Sequence, residues 1–126
     1  RALHPRTVIH PVLSQAEMVD ILSQSKVFLF PSLYEGFGMA VTEAMACGCA
    51  VVVTPTGFGA SIKNAAEGVV CDFRDVAAMT TAATRLLRDD VGRLRLAAKG
   101  RGRVSCLAWS EQVRKLESVY RRWLVV

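Results

Sequence analysis

Short runs of uninterrupted apolar residues alternate along the chain with segments whose apolar positions recur every three or four residues. "TVIHPVL" (7–13) is β-branched and apolar and predicts a first strand. In "SQAEMVDILSQS", which follows, Met18, Ile21 and Leu22 share one face; Ser14 is placed to cap the helix, with Glu17 completing a capping box. "VFLF" (27–30), "AVVV" (50–53) and "VVC" (69–71) are continuous apolar runs and predict strands buried on both faces. "GMAVTEAMAC" reads as a helix stopped by Gly48. Further helices are expected over 75–88 and 90–103, and a last one from a Ser110 cap to about Trp123. That last helix carries Val113, Leu116, Tyr120, Trp123 and Leu124 on one stripe, so it should dock on something. The pattern predicts an α/β fold: a parallel β-sheet of four strands covered by helices on both faces, with a helical C-terminal end.

Composition narrows the class. With 126 residues and 52% apolar content the chain suits one domain with a real core. No stretch is long and apolar enough for a membrane span, and "RALHPRTVIHP" lacks the apolar region of a secretory signal, so a cytoplasmic setting is expected. Cys47, Cys49, Cys71 and Cys106 show no zinc-type spacing and read as buried free thiols, with no metal expected. The chain opens directly into a strand and four strands make a small sheet, so a piece of a longer protein is expected.

Charge is unevenly placed. Residues 1–84 hold five Lys/Arg against seven Asp/Glu, whereas 85–123 hold eleven against four, a net of +7. These cations lie on helical patterns without interleaved exposed aromatics, which argues against nucleic acid. A solvated helix face is the plain reading, and contact with an anionic membrane surface, through Arg93, Arg95, Arg101 and Arg103 among others, is the alternative.

The chemistry concentrates in "PSLYEGFGMAVTEAMACGCAVVV" (31–53). In open parallel sheets ligands bind beyond the carboxyl ends of the strands, where this chain has glycine-rich loops. Glycines after "VFLF" allow close backbone approach, and N–H groups near Gly38 and Met39 open a helix whose positive end favours phosphate or sugar oxygens. Glu35 lies in the loop and Glu43 in the helix, and a loop folded back over the helix start would turn both to one crevice. A carboxylate there can accept from two vicinal hydroxyls, as on a ribose. Equally, the two glutamates could cap backbone N–H groups or pair with arginines.

The same stretch closely resembles the signature of the retaining glycosyltransferases of family 4, with Glu35 and Glu43 at its two glutamates, and the resemblance extends over most of the chain. It implies the Rossmann-like, donor-binding C-terminal half of a GT-B fold, and an enzyme of hexosyltransferase type. Such an enzyme moves a sugar from a nucleotide-diphosphate sugar to the hydroxyl of a sugar or lipid-linked acceptor, with neither cofactor nor metal. It further implies that Glu43 holds the ribose hydroxyls and that catalytic Glu35 lies against the donor sugar. The backbone of Gly36, Phe37, Gly38 and Met39 would cradle sugar and distal phosphate, with Leu13 near the base. The N-terminal acceptor domain and the Arg and Lys that clamp the diphosphate are absent from this chain, so the fragment alone is expected to be inactive.

The sequence departs from that family at Pro11, where glycine is common, at Lys26, and in the loop "TGFGASIKN", where Phe58 replaces a second glycine and Ser61 stands near a glutamate position. Two other readings compete. In a dinucleotide-binding oxidoreductase Gly57-Phe58-Gly59 would begin the fingerprint, but Ile62 occupies the third glycine's place. The other is a non-catalytic nucleotide- or partner-binding domain related to glycosyltransferases.

Overall fold

The computed structural model describes residues 4–124. Helix α1 (Gln15–Gln24) begins as its sequence dictates: the Ser14 side chain accepts from the Glu17 N–H, and the Glu17 carboxylate accepts from the Ser14 N–H at 2.7 Å. It leads into strand β1 (Val27–Phe30), helix α2 (Met39–Ala46) and strand β2 (Ala50–Val53). A single 3-10 turn (Gly57–Ser61) precedes the short strand β3 (Val69–Val70). Three helices complete the chain: α3 (Val76–Arg88), α4 (Asp90–Ser105) and α5 (Trp109–Leu124).

The sheet is parallel in the order β1-β2-β3, with Val27 opposite Ala50, Phe30 opposite Val53, and Val52 and Val53 opposite Val69 and Val70. Every residue of β2 is buried, and its side chains alternate between two cores. Val51 and Val53 pack with Leu22 of α1, Val41, Ala44 and Met45 of α2, and Phe58 and Ile62. Ala50 and Val52 pack with Ala82 and Leu86 of α3 and Leu96 and Ala97 of α4. Helices therefore cover both faces, as expected, and α4 serves both, since its Val104 joins the first core.

Several expectations are corrected. No strand forms over 7–13, and the sheet has three strands among the described residues rather than four. Val8, Ile9 and Val12 are 69–89% exposed. Pro11 lacks an N–H and no described strand lies alongside, so the β-branched residues have no ladder to join. The last helix starts at Trp109, which puts Ser110 inside its first turn rather than at its cap. Its apolar stripe docks on nothing described: Leu116 and Tyr120 are each 52% exposed and Trp123 is 74% exposed.

Arg93, read as a surface cation, is buried; its guanidinium donates to the Leu86 carbonyl at 3.2 Å and pairs with Asp90. It ties the corner where α3 ends and α4 begins. Arg103 is half-buried, 3.7 Å from a Glu67 oxygen and over the Phe58 ring. A membrane-facing patch built on all four arginines named above is thereby reduced to Arg95 and Arg101. The thiols divide too: Cys49 and Cys71 are buried, Cys47 is half-buried, and Cys106 is exposed.

Candidate functional site

Two loops meet beyond the carboxyl ends of β1 and β2. The first, 31–38, is held from beneath by Thr54, whose hydroxyl donates to the Ser32 carbonyl. The Glu35 N–H donates to the Thr56 hydroxyl at 3.0 Å, and the Phe58 N–H donates to the Phe37 carbonyl at 2.6 Å. Gly57 makes this lacing possible. Its φ is +51°, and a β-carbon there would lie 2.6 Å from the Phe37 oxygen and 2.9 Å from the Glu35 Cβ. The rings of Phe37 and Phe58 meet at 5.7 Å between centroids.

Phe58, the departure noted in this loop, is thus a core residue on which the first loop rests. Gly57 and Gly59 serve packing: a β-carbon on Gly59 would stand 2.5 Å from the Thr54 carbonyl oxygen. The turn they open is a five-residue 3-10 segment and not the α-helix of a dinucleotide fingerprint, so the oxidoreductase reading falls.

Within the first loop Glu35 is half-buried, and one of its oxygens accepts from the Ser32 hydroxyl at 2.8 Å. Gly36 and Phe37 are exposed at the rim, while Gly38 is buried with φ +83° as the N-cap of α2. No side chain caps that helix start, so the backbone at Gly38 and Met39 opens toward the loop with the positive end of the helix dipole behind it.

Glu43, one turn along α2, is exposed. Its burial cost therefore does not arise, and among the described residues its carboxylate makes no ion pair or hydrogen bond. It lines a cleft of about 310 Å³ between α1 and α2, shared with Leu13, Met18, Val19, Leu22 and Cys47. The sequence places Leu13 and Glu43 thirty positions apart, and the fold brings them to one cavity whose walls are otherwise largely apolar. Glu35 is not among that cleft's lining residues; it sits with Thr56 and Gly57 at the loop junction. The site accordingly has two parts: an apolar cleft ending in a free carboxylate, and a glycine-rich loop at a helix start holding a second carboxylate.

Thr54 and Thr56 position that loop together with Gly57; neither threonine stands out in the sequence, and Gly57 stands out there only as the opening of a dinucleotide fingerprint. Their partners lie 20 to 22 residues away in sequence, beyond any local pattern, and the one legible signal is the Thr-Pro-Thr-Gly run that ends β2.

Comparison with known proteins places this chain in a family. The description Glycosyl transferases group 1 matches residues 2–103. A D-inositol 3-phosphate glycosyltransferase of Xylanimonas cellulosilytica is 32% identical over 116 residues, covering 91% of this chain and 28% of that protein. An N,N'-diacetylbacillosaminyl-diphospho-undecaprenol alpha-1,3-N-acetylgalactosaminyltransferase of Campylobacter jejuni is 33% identical over 90 residues, 71% of this chain and 24% of its own length. Among solved structures, a sucrose-phosphate synthase from Thermosynechococcus elongatus superposes with a TM-score of 0.72 at 30% identity, over 82% of this chain and 26% of the synthase. The chain thus spans about a quarter of the length of the proteins it matches. Since the match spans residues 2–103, well over half of the chain, this chain belongs to the group 1 glycosyl transferases.

Proposed function

We propose that this chain is the nucleotide-sugar-binding part of a longer, two-domain family 4 enzyme. That enzyme transfers a sugar, with retention and without a bound metal, to an acceptor hydroxyl. The observation that carries the reading is the meeting of Leu13 and Glu43 in one cleft. An apolar wall ending in a free carboxylate suits a nucleoside, with the base against Leu13 and the two ribose hydroxyls donating to Glu43.

From that anchor the donor runs toward the start of α2, where the backbone of Gly36, Phe37, Gly38 and Met39 offers N–H groups and a positive dipole end to the distal phosphate and the sugar. Glu35, oriented by Ser32, accepts from the sugar's hydroxyls. In the transfer the bond from the anomeric carbon to the phosphate oxygen breaks, and the acceptor oxygen bonds to that carbon on the same face. The acceptor's proton leaves with the nucleoside diphosphate. The relatives' names speak of an inositol phosphate and of a diphospho-undecaprenol. A sugar or lipid-linked acceptor fits the proposal, and a lipid-linked one would require the enzyme to work against a membrane. The exposed apolar stripe of α5 suits the acceptor domain of the longer protein.

The test is a comparison of Glu35→Ala with wild type in that longer protein. Turnover should fall by about a hundredfold or more while nucleoside diphosphate affinity stays within a factor of about three, as for a group that acts mainly in the transition state. Equal losses in both, a product of inverted configuration, or turnover abolished by a chelator would overturn the reading.

A further inference from the structure

The most enclosed cavity described lies away from the donor cleft, between α3, α4 and the loop that leads into β3. It measures about 330 Å³, and Arg85, Arg95 and Lys99 all line it. Among the described residues none of these three cations makes an ion pair. The acids that could neutralise them are engaged elsewhere: Asp90 with Arg93 and Lys26, and Glu67 with Arg103. The one carboxylate on the lining, Asp89, caps α4, with one oxygen accepting from the Gly92 N–H at 2.8 Å. Its second oxygen lies over Gly92, where a β-carbon would come within 2.2 Å of it. Three unpaired cations on the lining of one cavity repel one another, and a bound anion offsets that repulsion.

We propose that this cavity is a second ligand site, one for the phosphate monoester of a small hydroxyl-bearing molecule. Arg85, Arg95 and Lys99 hold the phosphate, whose oxygens match guanidinium and ammonium donors. The uncommitted Asp89 oxygen accepts from a hydroxyl on the same molecule. The wall opposite is the turn at Ala65, a non-glycine residue at φ +58°, locked by the Ala65 N–H to Gly68 carbonyl bond at 2.8 Å. The cavity stands at the amino end of β3, and the donor loops lie beyond the carboxyl ends of β1 and β2. The site is therefore free to take its ligand while a donor is bound, which suits a regulatory metabolite.

The experiment is an amide NMR titration of the protein with inorganic phosphate and with glycerol 3-phosphate. Vesicles containing phosphatidic acid form a separate arm, because the same phosphate could belong to a lipid headgroup. Saturable shifts are expected at Ala65, Ala66, Gly92 and Lys99, with glycerol 3-phosphate binding more tightly than phosphate. Arg95→Gln with Lys99→Gln should weaken both by about a hundredfold, about tenfold for each cation removed. Arg85, Arg95 and Lys99 are exposed, so the variant should keep a native amide spectrum and its affinity for a nucleoside diphosphate. Arg85→Gln provides an independent second variant. Shifts confined to residues 36–39, or undiminished binding by both variants, would overturn the proposal. Binding to the vesicles without binding of glycerol 3-phosphate would overturn the soluble ligand.

Discussion

Replacing Gly57 by alanine strikes the point where the two loops are laced. The backbone there has φ +51°, which costs an L-residue about 1 to 2 kcal/mol. The added carbon would stand 2.6 Å from the Phe37 oxygen and 2.9 Å from both the Phe37 carbonyl carbon and the Glu35 Cβ. These are mostly backbone atoms that cannot swing aside, so the loops must part. Parting them breaks the Phe58 N–H to Phe37 carbonyl bond, worth about 1 kcal/mol, and loosens the packing of Phe37 on Phe58, worth about another 0.5 to 1.5 kcal/mol. The expected total is about 2.5 to 4.5 kcal/mol. Gly48→Ala supplies the control: its φ is +89°, but a β-carbon there meets nothing within 4 Å, so only the conformational part of about 1 to 2 kcal/mol applies. In urea unfolding, with a slope of about 1 to 3 kcal/mol/M, the Gly57 variant should lose at least about 0.8 M of midpoint, clearly more than the Gly48 variant. If the two variants lose stability equally, the close approach of the loops contributes nothing and the lacing argument is wrong.

Arg93→Met should destabilise the protein by about 1 to 3 kcal/mol in the same assay, because the side chain's volume is kept while the Leu86 carbonyl is left without its buried donor; an unchanged midpoint would show that the α3–α4 corner does not depend on that bond. The Glu17 carboxyl is held below the usual glutamate range by the hydrogen bonds it receives from the Ser14 hydroxyl and N–H. Its folded-state pKa lies below its unfolded value, so its contribution is full above the unfolded value and is lost as pH falls through the folded one. The stability gap between wild type and Glu17→Gln should therefore be constant near neutrality and close in the acid range below about pH 4; a gap that persists at pH 2 would contradict this.

What could be read in advance follows from how local each signal is. The capping box of α1 is written in four consecutive residues, Ser14 to Glu17, and forms as read. Gly48, at φ +89° just past α2, ends that helix as a lone glycine should, and "AVVV" is buried on both faces because no polar residue interrupts it. "TVIHPVL" misleads for the opposite reason: its β-branched residues favour an extended chain, but a strand needs a neighbour, and propensity carries no information about whether one is present. Arg93 misleads in the same way. Within α4 it looks like one more surface cation, and only the corner with α3 shows that its guanidinium closes a buried carbonyl. For the candidate site, residue type and spacing draw attention to the two glutamates and the glycine loop but leave open whether the carboxylates bind a ligand or cap the backbone. The division of the glutamates between a cleft and a loop junction was not legible, since it depends on Thr54, Thr56 and Gly57 reaching across from the neighbouring strand's loop.

The central claim, that the cleft shared by Leu13 and Glu43 holds the nucleoside of the donor, is tested most directly by calorimetric titration of the longer protein with a nucleoside diphosphate. Glu43→Gln replaces a charged acceptor of two hydroxyls with a neutral amide and should weaken the nucleotide by about 1.5 to 3 kcal/mol, roughly 10- to 150-fold. The same loss should appear for the nucleotide sugar, because the ribose contact is common to both. A 2′-deoxynucleoside diphosphate should already bind wild type more weakly and lose much less on substitution. Unchanged affinity of Glu43→Gln for the ribonucleotide would contradict the account and remove Glu43 from the ribose.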